Sequence, residues 1–505
     1  MKPSSRAILP VALAAAAATI AAALLVPGRG PGPAANGAHF DSLLANWSDA
    51  AGGRVLGYGP LVRDPAGLLD LPAGFRYTLL STAVLDRERP AEERFASQLD
   101  DGSPTPAEFD GMAAFTGPDS FTILVRNHEM GITDRPVVDP ARRRAYDSLG
   151  TGGTTTLWVT PGLRVVKQFA SLSGTLVNCA GGRTPWGTWI SAEECAYVPG
   201  ALDPRNADRT PSVTRQHGYL FEVDARATGL VEPVPLKAMG RFRHEALAVD
   251  PGTGIAYLTE DRPDGIFYRF IPRAVSGTRP SKLRAGDYAR GGTLEALRIV
   301  GKARTLTQNW GARAVAPLER LRVEWVRIPN PNPDGDEAWD SADSRPDSAH
   351  RNRLAASGST RSQGWELGCA QFARAEGITW HRGALYFCCT SGGPAVVGQV
   401  WKLDPARGDL TLLLESADRN RLEGPDNLCP APNGDLVICE DGEPDNFLTG
   451  VTPDGSTYHL ARNAHPMRRE FAGACFSPDG RTLFVNVQMP SLTFAIRGPW
   501  ETRKK

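Results

Sequence analysis

Acidic side chains recur in this sequence at the two ends of one repeated pattern, and a single cysteine stands among them. Asp110, Glu129, Glu193, Glu194, Glu245, Glu260, Asp261, Glu376, Asp426, Glu440, Asp441 and Glu470 share the same phase of the repeat, as do Asn127, Asn178 and Cys179. Carboxylates brought together ionised repel one another, so either their pKa values rise or cations neutralise them. Carboxylates and side-chain amides are hard oxygen donors that suit Ca²⁺ or Mg²⁺. A thiolate is soft and favours a transition metal such as iron or zinc. The metal-ligand candidates are Glu129, Cys179, Glu194, Glu245, Glu260, Glu376, Asp426 and Glu440. His128 and His244 adjoin ligand candidates; strand neighbours point to opposite faces, so both histidines are expected in packing rather than as ligands. Arg126, beside Asn127, is a candidate for phosphate contact, with a structural salt bridge as the alternative.

The elements that must position these groups are hairpins. Six strand–turn–strand units begin near residues 110, 179, 245, 376, 426 and 470. The unit Glu245 to Asp261 shows the layout: an apolar strand, a Pro251-Gly252 turn, and a second strand that ends in acids. The last three units are spaced by about 50 and 44 residues, near the ~40–50 of a propeller blade. In an antiparallel hairpin the start of one strand and the end of the other lie at one end. Six hairpins around an axis therefore bring both sets of termini to one mouth of a central channel. The expected fold is an all-β, six-bladed β-propeller over residues 37–505, with a long insertion between the third and fourth hairpins, at 272–374. Within that insertion, Ile328 to Glu337 reads as an irregular Pro/Asp-rich loop.

Composition agrees. In 505 residues, 56 Lys+Arg balance 56 Asp+Glu. A zero net charge argues against phosphate-backbone binding, so no nucleic-acid partner is expected. Gly at 53 and Pro at 41 suit short strands and tight turns. Lys2 and Arg6 precede an apolar run from Ala7 to Pro27, so residues 1–36 read as an export signal or an N-terminal anchor. The rest is expected to be a soluble monomer in the periplasm or outside the cell, touching a membrane only through that segment. None of the eight cysteines forms a Cys-x-x-Cys pair, so a zinc ribbon is excluded. No Gly-x-Ser-x-Gly elbow offers a nucleophilic serine. Trp186, Trp189, Trp365, Trp380 and Trp401 are expected to pack between blades.

The strings Arg126-Asn-His-Glu129, Asn178-Cys-Ala-Gly-Gly-Arg-Thr-Pro-Trp-Gly-Thr-Trp189, Arg374-Ala-Glu-Gly377, Pro425-Asp-Asn-Leu428, Glu440-Asp-Gly442 and Glu470-Phe-Ala-Gly473 resemble the PhoX alkaline phosphatase family. So does Phe476 to Asn486, and the likeness runs from about Gly57 to Trp500. The resemblance implies a six-bladed propeller with a mixed Fe³⁺ and Ca²⁺ cluster, an iron ligand at Cys179, and hydrolysis of small phosphomonoesters outside the cytoplasm. It implies that Arg374 holds the phosphoryl group, as catalytic and substrate-binding residue, and that Glu376 binds metal. Arginine presents a forked pair of donors that suits that role. Family members commonly carry a twin-arginine export signal, whereas this N-terminus has only Arg6. Two other readings fit the acidic hairpin ends: a calcium-dependent propeller hydrolase such as a lactonase, and a non-catalytic calcium-stabilised binding propeller.

Overall fold

The computed structural model describes residues 56–83, 97–132, 134, 136–199, 213–273, 283–334 and 358–501. The expected signal or anchor at 1–36 lies outside the described residues. Among the described residues the regular structure is almost all strand, with one short α-helix, Thr360–Glu366, capped by the Ser359 hydroxyl. No helix among them is long and apolar enough to cross a membrane.

Six hairpins organise the molecule. Their inner and outer strands are Phe109–Thr116 with Thr122–His128, Asn178–Arg183 with Thr188–Glu193, and His244–Val249 with Ala256–Glu260. The other three are Ala375–His381 with Ala384–Cys389, Pro425–Pro430 with Leu436–Glu440, and Phe471–Phe476 with Thr482–Val487. Turn chemistry sets their registers. In the third, the Asp250 carboxylate accepts from Gly252 N and Thr253 Oγ1 at 2.8 and 2.7 Å; in the sixth, Ser477 Oγ donates to Asp479 at 2.6 Å.

Each inner strand touches the next, from first to sixth and back to the first, so they close a ring. Two glycines let the ring close so tightly. A Cβ on Gly111 would lie 2.5 Å from Ala180 Cα, and one on Gly473 would lie 2.4 Å from the Asp110 carbonyl oxygen. A channel of about 410 Å³ runs down the ring past Met112, Ala180, Leu247, Ile378, Leu428 and Ala474. Between the hairpins lie the apolar layers, such as Ile190, Leu247, Leu258 and Phe270 in one and Val437, Leu448, Phe471 and Val485 in another.

The architecture is therefore propeller-like, but the expectation of six separate four-stranded blades needs correction. Among the described residues, only four of the sheets carry four or more strands. The second hairpin sits in a three-stranded sheet. The third and fourth share one nine-stranded sheet, because the 272–374 stretch supplies Gly292–Ile299 and Arg320–Arg327, and the latter also pairs with Asp409–Glu415. Strands near both chain ends also meet: Arg76–Thr82 pairs with Leu492–Arg497 beside the sixth hairpin.

Candidate metal centre

All six inner strands carry a β-bulge at the same phase, just inside the acidic end. The register shifts fall between Phe109 and Met112, Asn178 and Gly181, His244 and Leu247, Ala375 and Ile378, Pro425 and Leu428, and Ala472 and Cys475. A bulge inserts an extra residue and re-aims a side chain. In five of the six the residues involved include Asp110, Cys179, Glu245, Glu376 and Asp426. A second tier comes from the residue that follows each outer strand: Glu129, Glu194, Asp261, Thr390, Asp441 and Gln488.

Three overlapping donor groups result, each with ligand atoms within 4.8 Å of one another: Asp110, Glu129 and Cys179; Cys179, Glu194 and Glu245; and Glu245, Glu376 and Asp426. Cys179 Sγ lies 3.3 Å from Glu245 Oε1 and 3.7 Å from Asp110 Oδ2. Gln488 Nε2 donates to Glu129 at 2.5 Å, Thr390 Oγ1 to Glu376 at 2.9 Å, and Asn427 Nδ2 to Asp426 at 2.8 Å. Among the described residues, none donates to the buried Glu245 Oε2.

Electrostatics follow from that crowding. Burial, then mutual repulsion, pushes Glu245, Glu376, Asp426 and Glu470 well above the carboxylate range, Glu194 to about 7 and Asp110 to about 6. The same two causes raise the Cys179 thiol. Burial alone would raise Asp261 too, but the Arg374 guanidinium holds it low. Arg374 forks onto Asp261 with two bonds of 2.9 Å and reaches Glu376 Oε1 at 2.8 Å. Its backbone is left-handed, φ 54°, between Arg262 O and Thr390 N, which fix it. Cations fit this donor set: hard oxygens throughout, one sulfur, and an unpartnered buried carboxylate oxygen.

Of the sequence-derived candidates, Glu129, Cys179, Glu194, Glu245, Glu376 and Asp426 come together, with Arg374 beside them. Glu260 and Glu440 do not. Each ends an outer strand in register with the residue before the bulge, so it faces the sheet interior. Glu260 binds Arg361 at 2.8 Å, Ile266 N and Tyr268 Oη. Glu440 accepts from Thr449 Oγ1 at 2.6 Å. Their successors Asp261 and Asp441 occupy the second tier instead. Replacing Glu260 by alanine is expected to cost about 3–5 kcal/mol, because it strips a buried arginine of a partner, while leaving bound-metal stoichiometry unchanged; thermal unfolding and elemental analysis check both.

Arg126 is also displaced. It is wholly buried, stacked 3.4 Å over the Phe109 ring and bonded to Thr493 and Thr155, so it cannot meet a substrate. Alternation along the strand turns it away from the mouth. His128 and His244 lie in packing, on Ala107 O and Gly240 O. A residue passed over from sequence is Arg243, which donates to the Glu194 carboxylate and, at 3.2 Å, to its carbonyl. Arg243-His-Glu245 repeats the Arg374-Ala-Glu376 spacing, a signal that could have found it.

Behind this face, His217 is sandwiched between Glu193 (2.6 Å) and Asp147 (3.4 Å), with the Tyr146 ring edge-on. Burial opposes its charge, but the two carboxylates win and raise it to about 9. A folded pKa above the unfolded 6.5 stabilises fully below pH 6.5, and that stability is lost as pH rises through 9. Unfolding free energy is therefore expected to fall by up to about 3 kcal/mol between pH 6 and 10, and a His217→Asn variant should lack this component in denaturant titrations.

A family model described as "Alkaline phosphatase PhoX" matches residues 56–491. No curated protein matches the sequence. Among solved structures, PhoX of Pseudomonas fluorescens in complex with vanadate, a transition state analogue, superposes with a TM-score of 0.59 at 19% identity, covering 88% of this chain and 98% of that one. A gluconolactonase from Xanthomonas campestris gives 0.37 at 14% identity, over 88% and 100% of the two chains.

Proposed function

Because this chain belongs to the PhoX alkaline phosphatase family, and is thus a phosphomonoester hydrolase, we propose that its reaction takes place at the acidic mouth of the ring, around a mixed Fe³⁺ and Ca²⁺ cluster. The observation that carries this reading is the chain of three donor groups linked through Cys179 and Glu245. The group containing Cys179, Glu194 and Glu245 suits the softer iron; the all-oxygen group of Glu245, Glu376 and Asp426 suits calcium. When bound, such cations supply Lewis acidity toward phosphoryl oxygens and reverse the sign of the mouth.

The chain's own residues do the rest. The Arg374 guanidinium, held by Asp261 and Glu376 with its remaining edge directed elsewhere, donates to an equatorial phosphoryl oxygen, where charge spreads in the transition state. Arg243 neutralises Glu194 on the neighbouring segment. Asp261 fixes the plane of Arg374 by its forked contact. Each of the six hairpins delivers one inner-strand and one outer-strand position to the mouth. The substrate is a small phosphomonoester met outside the cytoplasm by a monomeric enzyme. The lactonase and non-catalytic readings give way to the family membership.

Purified protein supplied with Fe³⁺ and Ca²⁺ is expected to release phosphate from an aryl phosphate, to lose that activity on chelation, and to be inhibited by vanadate, as the Pseudomonas relative binds it. Full turnover after removal of both metals would overturn the cluster assignment.

A further inference from the structure

We infer that Glu193 and His217 are positioning residues that hold Cys179 and Glu194 together for a shared cation; the inference rests on the metal-centre reading above. Glu193 ends the outer strand of the second hairpin and is fully buried. Its Oε1 accepts from Leu176 N at 3.1 Å and meets His217 Nδ1 at 2.6 Å; its Oε2 accepts from Gly218 N at 2.9 Å and Tyr219 N at 3.1 Å. On its other side His217 faces Asp147, whose carboxylate accepts from Thr214 N, Thr214 Oγ1 and Arg215 N. One imidazole thus ties two carboxylates from separate segments, and each carboxylate is bonded to main chain.

The connection to the site runs through Val177. Its carbonyl oxygen accepts from both Glu194 N, at 2.8 Å, and Cys179 N, at 3.0 Å. A single peptide oxygen therefore sets the spacing of two proposed ligands. Val177 sits at φ 47°, a region a β-branched residue enters only when its surroundings force it. Two main-chain anchors hold it there: the preceding N–H, Leu176, on Glu193, and Val177's own N–H on Met130 O at 3.0 Å. Without His217, Glu193 keeps its three main-chain donors but loses its charged partner on Oε1, the oxygen that also holds Leu176 N, and is left an undercompensated buried carboxylate. An apolar filler would satisfy the volume but would leave Leu176 N, Gly218 N and Tyr219 N without acceptors.

The test uses the full-length chain with Co²⁺ as probe. Its near-ultraviolet thiolate band reports cation bound at Cys179, and Ca²⁺ calorimetry reports the oxygen-only group. For His217→Ala, Co²⁺ affinity is expected to fall at least tenfold and kcat to fall more than KM changes, with Ca²⁺ affinity unchanged. His217→Asn places an amide N–H where Nδ1 stood, and is expected to restore Co²⁺ affinity to within about threefold of wild type. If His217→Ala does not fold, Glu193→Gln carries the comparison and should show the same selective loss. Wild-type Co²⁺ affinity in a folded His217→Ala or Glu193→Gln variant would overturn the inference. So would an equal loss of Co²⁺ and Ca²⁺, or failure of His217→Asn to restore binding. Absence of the thiolate band in the wild-type chain would overturn the metal-centre reading and this inference together.

Discussion

Replacing Arg374 by alanine is expected to lower kcat/KM for an aryl phosphate by about 10²–10³-fold, the usual cost of removing one donor aimed at transition-state charge. Arg374 already has two partners, Asp261 and Glu376, which hold its plane without consuming every N–H. Vanadate inhibition should weaken in parallel, because the same donor would hold the analogue. Arg374→Lys keeps the charge but cannot fork, so it should recover only part of the loss. Metal analysis separates the two roles the side chain has here. Asp261 and Glu376 would lose their counter-charge in the alanine variant, whereas lysine retains one. An Arg374→Lys enzyme with full metal content, unaltered turnover and unaltered vanadate inhibition would remove Arg374 from the chemistry.

Cys179→Ser should have a still larger effect. The substitution nearly preserves volume, and the thiol sits between Asp110 and Glu245 in a buried position, so the fold should persist. The soft donor is lost. Iron content and the thiolate absorption band are expected to vanish, phosphatase activity to fall about 10³-fold or more, and calcium to remain, since the group of Glu245, Glu376 and Asp426 is untouched. Retention of iron and activity in Cys179→Ser would move the transition-metal site elsewhere. The other seven cysteines do not compete for this role. All eight are free thiols, and Cys388, Cys389, Cys429 and Cys439 are buried in apolar layers, where the thiol stays protonated.

The two arginine candidates show how far adjacency in sequence can be trusted. Arg126 and Arg374 both stand within three residues of a proposed metal-binding glutamate. Arg126 lies inside a regular strand, where alternation turns it into the packing against Phe109 and Thr493. Arg374 precedes the strand, in a left-handed turn held by Arg262 O and Thr390 N, and that turn aims it at the mouth. Strand alternation predicts the first outcome. The second depends on tertiary contacts, one of them to Arg262, more than a hundred positions away.

What the sequence determined by itself was the hairpin repeat, the clustering of its acidic ends, the single sulfur among them, and the family likeness that names the chemistry. These are local: turn residues, apolar strands and motif strings carry their meaning without distant partners. Tertiary structure alone decided which member of each acidic pair reaches the mouth. A bulge on each inner strand re-aims Glu245 and Asp426, while regular alternation along the outer strands turns Glu260 and Glu440 inward beside the residue before the bulge and leaves the mouth to Asp261 and Asp441. It also joined the third and fourth hairpins into one sheet through Arg320–Arg327. In both cases the deciding event is strand pairing, which the sequence does not spell out. A strand's face has a period of two, so one inserted residue exchanges inside for outside, and only the pairing of strands shows where the insertion falls.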